Sequence, residues 1–412
     1  MRQLQPHAVY ACERVRTVPE AMARMQRMLA PLGEPTVRWL SDEELGELAR
    51  EKGWGASRRL TGDKKLASPD IVFSVFEWAG EDEPAEEVGP YGSRPGRYFH
   101  HLRPWSHRDG GTPRPDGTVC QTAWEIHGAR GCVFKCDYCS FDNVLVIMLD
   151  VERFVEHLDL LVRDVPQTLY KYDNQTDILA LEPEYGASRV LNDYFASQDR
   201  AFLMHYTKSD NVDCLLDYRH SGRVIVCWSL AAHTQSRLIE RETATCEQRI
   251  EAARKCQQAG YPVRFRFSPM IPVRGWRDEV SAMVELLFEK TRPDLLTLQT
   301  LSRFPNLTML ETTLDLDVLD PEFLDAARER ESEMHGLIYG PLPHDIRLEM
   351  YRFALDCIRR ASPETPVAIC LESAQMWEAL AGELGQEPSH YLCACGPDCT
   401  PGQPLYAARC RA

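Results

Sequence analysis

From about residue 118 to 371 the chain alternates apolar, strand-like runs with segments of helical periodicity, and this rhythm constrains the fold more than any other feature. Strands are expected at 123–127, 169–172, 201–206, 224–230, 263–271, 295–301 and 367–371. Helices are expected between them at 150–163, 186–197, 211–219, 245–260, 279–290 and 343–361. Strands joined through helices pair in parallel, and the helices cover the sheet. Roughly six strand–helix units are too few for a closed eight-strand barrel. The predicted fold is therefore α/β, a partial, open (β/α)6 barrel over residues 119–375. An N-terminal extension occupies 1–118, and a cysteine-rich segment occupies 376–412. Barrels of this kind place their sites at the C-terminal ends of the strands.

Directly after the first predicted strand stands Gly131-Cys132-Val133-Phe134-Lys135-Cys136-Asp137-Tyr138-Cys139, three thiols at C-x3-C-x2-C spacing. Soft thiolates at this spacing can each hold one iron of a [4Fe–4S] cubane. The fourth iron is then left for a small chelating molecule. A zinc knuckle or plain buried cysteines are the alternatives. Zinc calls for a fourth ligand nearby, and the nearest, His127, precedes the loop.

Composition supports this reading. Fifteen cysteines accompany a start, Met1-Arg2-Gln3-Leu4-Gln5, that has no apolar signal core, and no apolar run reaches the about 18 residues a membrane span needs. A cytoplasmic protein without membrane association is expected, its thiols serving metal or redox chemistry. The net charge of −15 speaks against a polyanionic, nucleic-acid substrate, while leaving room for local basic patches. In the N-terminal region, helices are expected at 18–30 and at 41–50, the latter capped by Ser41, with a strand at 71–78 and a linker at 80–97. His100, His101 and His107 lie in a turn-rich stretch and read as surface histidines.

The thiol spacing, with Tyr138 before the last cysteine, resembles the radical S-adenosylmethionine superfamily. Further segments resemble its spore photoproduct lyase family: Thr207-Lys208 with Val212-Asp213, Trp228-Ser229-Leu230, and Arg249-Ile250-Glu251-Ala252-Ala253 running to Ala259-Gly260-Tyr261-Pro262. The resemblance covers roughly 120–375. It implies a radical-SAM partial barrel whose cofactors are a [4Fe–4S] cluster on Cys132, Cys136 and Cys139 and S-adenosylmethionine. It also implies that Tyr138 lies near the adenine, and that Lys208, Ser229 and Thr176 contact S-adenosylmethionine. Cleavage of that cofactor would give a 5′-deoxyadenosyl radical. An external electron donor such as a flavodoxin or ferredoxin is implied as partner. One departure matters. Where the repair lyase carries a hydrogen-donating cysteine, this chain has Asn174, in Asn174-Gln175-Thr176-Asp177-Ile178.

A replacement donor can be sought among the other thiols. Cys227 shares a strand face with Ser229, and Cys370 shares one with Glu372. Either could return a hydrogen atom to a substrate radical, and either could be a small buried hydrophobe. In the tail, Cys393, Cys395 and Cys399, with Cys410, could hold a second [4Fe–4S] cluster or zinc, or remain unligated. These features lead to the expectation of a radical enzyme acting on a small molecule, a redox-neutral epimerase on a carbohydrate or natural product. DNA photoproduct repair and a non-catalytic iron–sulfur or zinc protein are the alternatives.

Overall fold

The computed structural model describes residues 4–54, 68–78, 104–139, 144–165, 167–174, 176–304 and 306–410. His100, His101 and the whole predicted 80–97 linker lie outside them. In chain order the strands are β1 (Ala8–Cys12), β2 (Val37–Leu40), β3 (Asp70–Ser74), β4 (Trp105–Arg108), β5 (Thr118–Val119) and β6 (Ala123–Ile126). Next come β7 (Ala129–Arg130), β8 (Lys135–Cys136), β9 (Val144–Met148), β10 (Leu169–Tyr172), β11 (Phe202–Thr207) and β12 (Val224–Leu230). The last are β13 (Glu240–Arg241), β14 (Val263–Met270), β15 (Leu296–Thr300), β16 (Val367–Ile369) and β17 (Glu372–Ser373).

The larger sheet has eight strands in the order β16-β15-β14-β12-β11-β10-β6-β4. All its pairings are parallel except that of β4 with β6. Helices Val151–Asp164, Ala187–Phe195, Cys246–Gln258, Trp276–Lys290 and His344–Ala361 connect successive strands. The result is the expected partial barrel. The 246–258 helix begins where Thr245 and Gln248 form a reciprocal capping box, which satisfies two otherwise orphaned backbone N–H groups. The helix expected at 211–219 is instead a short 3-10 turn, Asp213–Asp217. Asn211 spends its amide on the carbonyls of Leu179 and Glu182, each at 2.7 Å, and this ties the segment down as a turn.

A second sheet, β2-β1-β3-β9-β7, carries helices Pro19–Leu29 and Asp42–Lys52. Ser41 caps the second helix as expected. The turn-rich stretch around His107 contains β4, and His107 pairs with Asp109 at 3.1 Å. Strands β7 and β9 flank the cysteine loop, so the loop starts and finishes on this sheet while β6 before it belongs to the barrel.

Register shows which side chains enter the barrel. Glu125 pairs with Lys171, Tyr206 with Cys227, and Ser229 with Arg266, which in turn pairs with Thr297. Paired residues share a sheet face. Phe265 and Phe267 point the other way, toward the helices. Arg264 and Arg266 therefore face inward, and the lumen is polar where a structural barrel would be filled with branched apolar side chains.

The lumen is closed at its N-terminal end by the tail. Arg264 donates to the Ala394 carbonyl at 3.0 Å and to the Cys399 carbonyl. The Ala394 N–H donates to Thr297 at 3.0 Å, and the Thr168 hydroxyl to the Pro397 carbonyl at 2.6 Å.

Candidate active site

The cysteine loop is shaped by local contacts before any cofactor is considered. Gly131 has φ +83°, and a Cβ there would overlap the Val144 carbonyl, so the position demands glycine. Short strand β8 pairs antiparallel with β13, placing Cys136 opposite Glu240. The Asp137 N–H donates to the Ile239 carbonyl at 3.0 Å. His127 is engaged elsewhere, its ring nitrogens lying 3.3 Å from Asp173 and 3.1 Å from Ser106.

The loop forms one wall of a cavity of about 320 Å³ at the C-terminal ends of the barrel strands, a size typical of small-molecule sites. Cys132, Cys136, Tyr138 and Cys139 line it. Thr176, Asp177, Lys208, Ser268, Gln299 and Cys370 also line it. Among the described residues, no three His, Cys, Asp or Glu side chains converge on one point as a single ion requires. A cubane asks something different, because each thiolate takes a separate iron and the sulfurs stand apart. Three free thiols on one cavity wall fit that donor set. Burial holds the Cys132 thiol well above its ordinary range.

Around the loop runs a buried ionic network. The Tyr138 hydroxyl donates to Glu240 at 2.5 Å. Glu240 and Arg249, both fully buried, form an ion pair at 2.6 Å, and Lys208 Nζ lies 3.9 Å from Glu240. Burial raises the Glu240 carboxyl, but Lys208 and Arg249 outweigh it and hold the group below its usual range. Burial likewise disfavours the Lys208 ammonium, and Glu240 reverses that. Lys208 Nζ donates to the Ser229 hydroxyl at 2.5 Å, which donates onward to the Ser268 carbonyl at 2.6 Å. Asp177 accepts from the Thr207 hydroxyl at 2.9 Å and from the Lys208 N–H at 2.6 Å.

The residues anticipated from sequence separate into three groups. Tyr138, Thr176 and Lys208 line the cavity, and the Thr176 hydroxyl is buried without a partner among the described residues. Ser229 is fully buried behind Lys208 and orients it. Of the two donor candidates, Cys370 lines the cavity, whereas Cys227 is wholly buried, with its thiol pushed up to about 12 by burial. Asn174 also lines the cavity, its amide donating to Glu125 at 2.9 Å. Glu240, Arg249 in its ionic role and the lumen arginines had no motif to reveal them. Only the alternation of Arg264 and Arg266 with phenylalanines signalled a two-faced strand.

The tail thiols gather around Gln121. Cys393 Sγ lies 3.5 Å and Cys399 Sγ 3.7 Å from its Oε1, and Arg108 donates to Cys395 Sγ at 3.4 Å. The space beside Cys120, Cys393 and Cys395 is about 10 Å³, room for about one water. Cys410 stands apart and donates to the Asp294 carbonyl at 3.3 Å. Gln121 thus lies beside Cys393 and Cys399, while Cys410, the fourth ligand anticipated for a tail cluster or zinc, is set apart from them.

Comparison with known proteins follows the same line. Residues 116–302 match the family model described as spore photoproduct lyase. The spore photoproduct lyase of Bacillus subtilis is 26% identical over 180 residues, 42% of this chain and 53% of that protein. That of a Geobacillus species is 25% identical over 169 residues, 39% of this chain and 50% of that protein. The chain thus matches about half the length of these curated relatives. A solved spore photoproduct lyase mutant superposes with a TM-score of 0.57 at 16% identity, covering 89% of this chain and 99% of that one. Another, with bound AdoMet and dinucleoside spore photoproduct, gives the same TM-score of 0.57. Over residues 116–302 the chain is thus similar to the spore photoproduct lyases, and its fold is that of their solved structures.

Proposed function

We propose that this chain is a radical S-adenosylmethionine enzyme that takes a hydrogen atom from a substrate held in the barrel cavity. A lyase reaction on a spore-photoproduct-type substrate is the leading assignment. The observation that carries it is the meeting of three cluster-type thiols, Lys208 and a Thr176 hydroxyl without a partner among the described residues on one cavity at the strand ends. The relatives' activity supports a lyase over the epimerase anticipated from sequence, and nothing in the relatives supports a carbohydrate substrate.

Cys132, Cys136 and Cys139 would hold the cluster. A [4Fe–4S] cluster with S-adenosylmethionine supplies, on reduction, the 5′-deoxyadenosyl radical that starts the chemistry. The chain's own residues position and protect. Tyr138, fixed by Glu240, borders the cofactor space, and Lys208 offers its ammonium to the S-adenosylmethionine carboxylate. Cys370, which also lines the cavity, would return a hydrogen atom to the substrate radical in place of the cysteine that Asn174 replaces, and the thiyl radical left on its sulfur would be reduced by one electron from the external donor and one proton.

The test is anaerobic reconstitution, reduction in the presence of dinucleoside spore photoproduct, and analysis for 5′-deoxyadenosine and thymine monomers. Formation of 5′-deoxyadenosine with an intact photoproduct would keep the radical class and remove the lyase assignment. The epimerase reading retains one point in its favour, the loss of a thiol at Asn174. Stereochemical inversion with solvent deuterium at the product carbon would establish it.

A further inference from the structure

The proposed radical chemistry uses the cysteine wall and Lys208 but leaves unexplained why the lumen beneath is cationic. Arg108 on β4, Lys171 on β10 and Arg266 on β14 converge there from three strands, and all line the same cavity. Exposed Arg303 stands at its mouth. Against these, Glu125 faces Lys171 at 3.3 Å, and Asp177 is already held by Thr207 and Lys208.

The arginines are only partly satisfied. Arg266 is 8% exposed. Its Nη2 donates to Gln299 at 3.0 Å and to Cys370 Sγ at 3.2 Å, while its Nε is buried with no partner among the described residues. Arg108 Nε is likewise buried and unpartnered. Leaving buried guanidinium N–H groups unpaired is costly, and a surplus of buried cations needs a counter-ion. The planar guanidinium fork suits a carboxylate or a phosphate.

We infer that the lumen between Arg266, Arg108 and Lys171 is a subsite for a compact oxyanion, phosphate or carboxylate, carried by the substrate. Its residues are other than Lys208, which the proposed function gives to S-adenosylmethionine. The inference rests on the reading of this cavity as the substrate site and adds the class of group the substrate must present. The acidic net charge of the chain does not oppose it, because burial confines the cationic field to the lumen. It also places Cys370, bonded to Arg266, beside the anchored end of the substrate.

The experiment titrates inorganic phosphate into the oxidised, cluster-loaded enzyme saturated with S-adenosylmethionine, by calorimetry at constant ionic strength. Acetate is the carboxylate arm. Saturable one-to-one binding of either anion is expected, at least tenfold weaker in Arg266→Gln. Should that variant fail to fold, Arg303→Gln, at the exposed mouth, is expected to weaken binding about threefold. No saturable binding overturns the inference. So does binding seen only without S-adenosylmethionine, which would assign the anion to the cofactor's own space. Binding unchanged in a folded Arg266→Gln variant overturns it as well. Absence of anion binding alongside 5′-deoxyadenosine formation removes the subsite alone. Anion binding without 5′-deoxyadenosine from a fully loaded cluster removes the radical reading alone.

Discussion

Replacing Glu125 with Gln removes the carboxylate that faces Lys171 and Arg108 in the barrel lumen. Its side chain is 12% exposed, with Lys171 Nζ at 3.3 Å and the Asn174 amide at 2.9 Å on the same oxygen. Burial alone would raise its pKa, but Lys171 and Arg108 outweigh burial and bring it from 4.5 to about 2. A depressed carboxyl stabilises the folded state fully above its unfolded pKa and loses that contribution as pH falls through the folded one. The window therefore runs from about 4.5 down to about 2. At about 1.4 kcal/mol per unit, the contribution near pH 7 is about 3 kcal/mol. Water entering the cavity beside Lys171 brings the expected loss to about 2–3 kcal/mol. Urea unfolding followed by tryptophan fluorescence should show Glu125→Gln destabilised by that amount at pH 7, with the gap closing as pH drops from 4.5 toward 2. Equal stability at pH 7, or a gap that does not narrow with acid, would refute the electrostatic picture of the lumen.

Further outcomes follow from the loop, the ionic network and the thiols. Gly131→Ala forces a Cβ into the Val144 carbonyl at φ +83°, and should cost at least about 2 kcal/mol and depress iron loading, read by iron analysis after reconstitution. Glu240→Gln leaves Arg249 buried without its counter-charge, and should cost about 3–5 kcal/mol in urea unfolding; a loss under about 1 kcal/mol would contradict the paired assignment. In D2O, Cys370→Ala should abolish deuterium at the product carbon, whereas Cys227→Ser, behind the cavity wall, should leave it; the reverse pattern would assign the donor to Cys227.

Local signals made much of this molecule legible. The Ser41 cap, the strand–helix rhythm and the C-x3-C-x2-C loop are all contained within a few residues, and most appear where the periodicity places them. The alternation of Arg264 and Arg266 with phenylalanines implied two faces, but which one turned inward depended on register with β12 and β15. Glu240 carries no motif, and its meaning comes from burial against Arg249, Tyr138 and Lys208, contacts reaching back as far as residue 138. The tail was partly legible for a related reason. C-x-C-x3-C spacing suggests ligands, whereas the contact of Cys393 and Cys399 with Gln121, more than 270 residues earlier, carries no local signal. The 211–219 segment looked helical because side-chain competition from Asn211 is invisible to periodicity.

The central claim is that the wall of Cys132, Cys136 and Cys139 holds a cluster that initiates radical chemistry in this cavity. The most direct measurement is iron and sulfide analysis after anaerobic reconstitution, followed by reduction with S-adenosylmethionine present and quantification of 5′-deoxyadenosine. At least about four irons per chain, with 5′-deoxyadenosine lost on replacing any of the three cysteines by alanine, is the predicted result; about eight irons would place a second cluster in the tail. A fully loaded cluster that yields no 5′-deoxyadenosine, or zinc bound in place of iron, would contradict it.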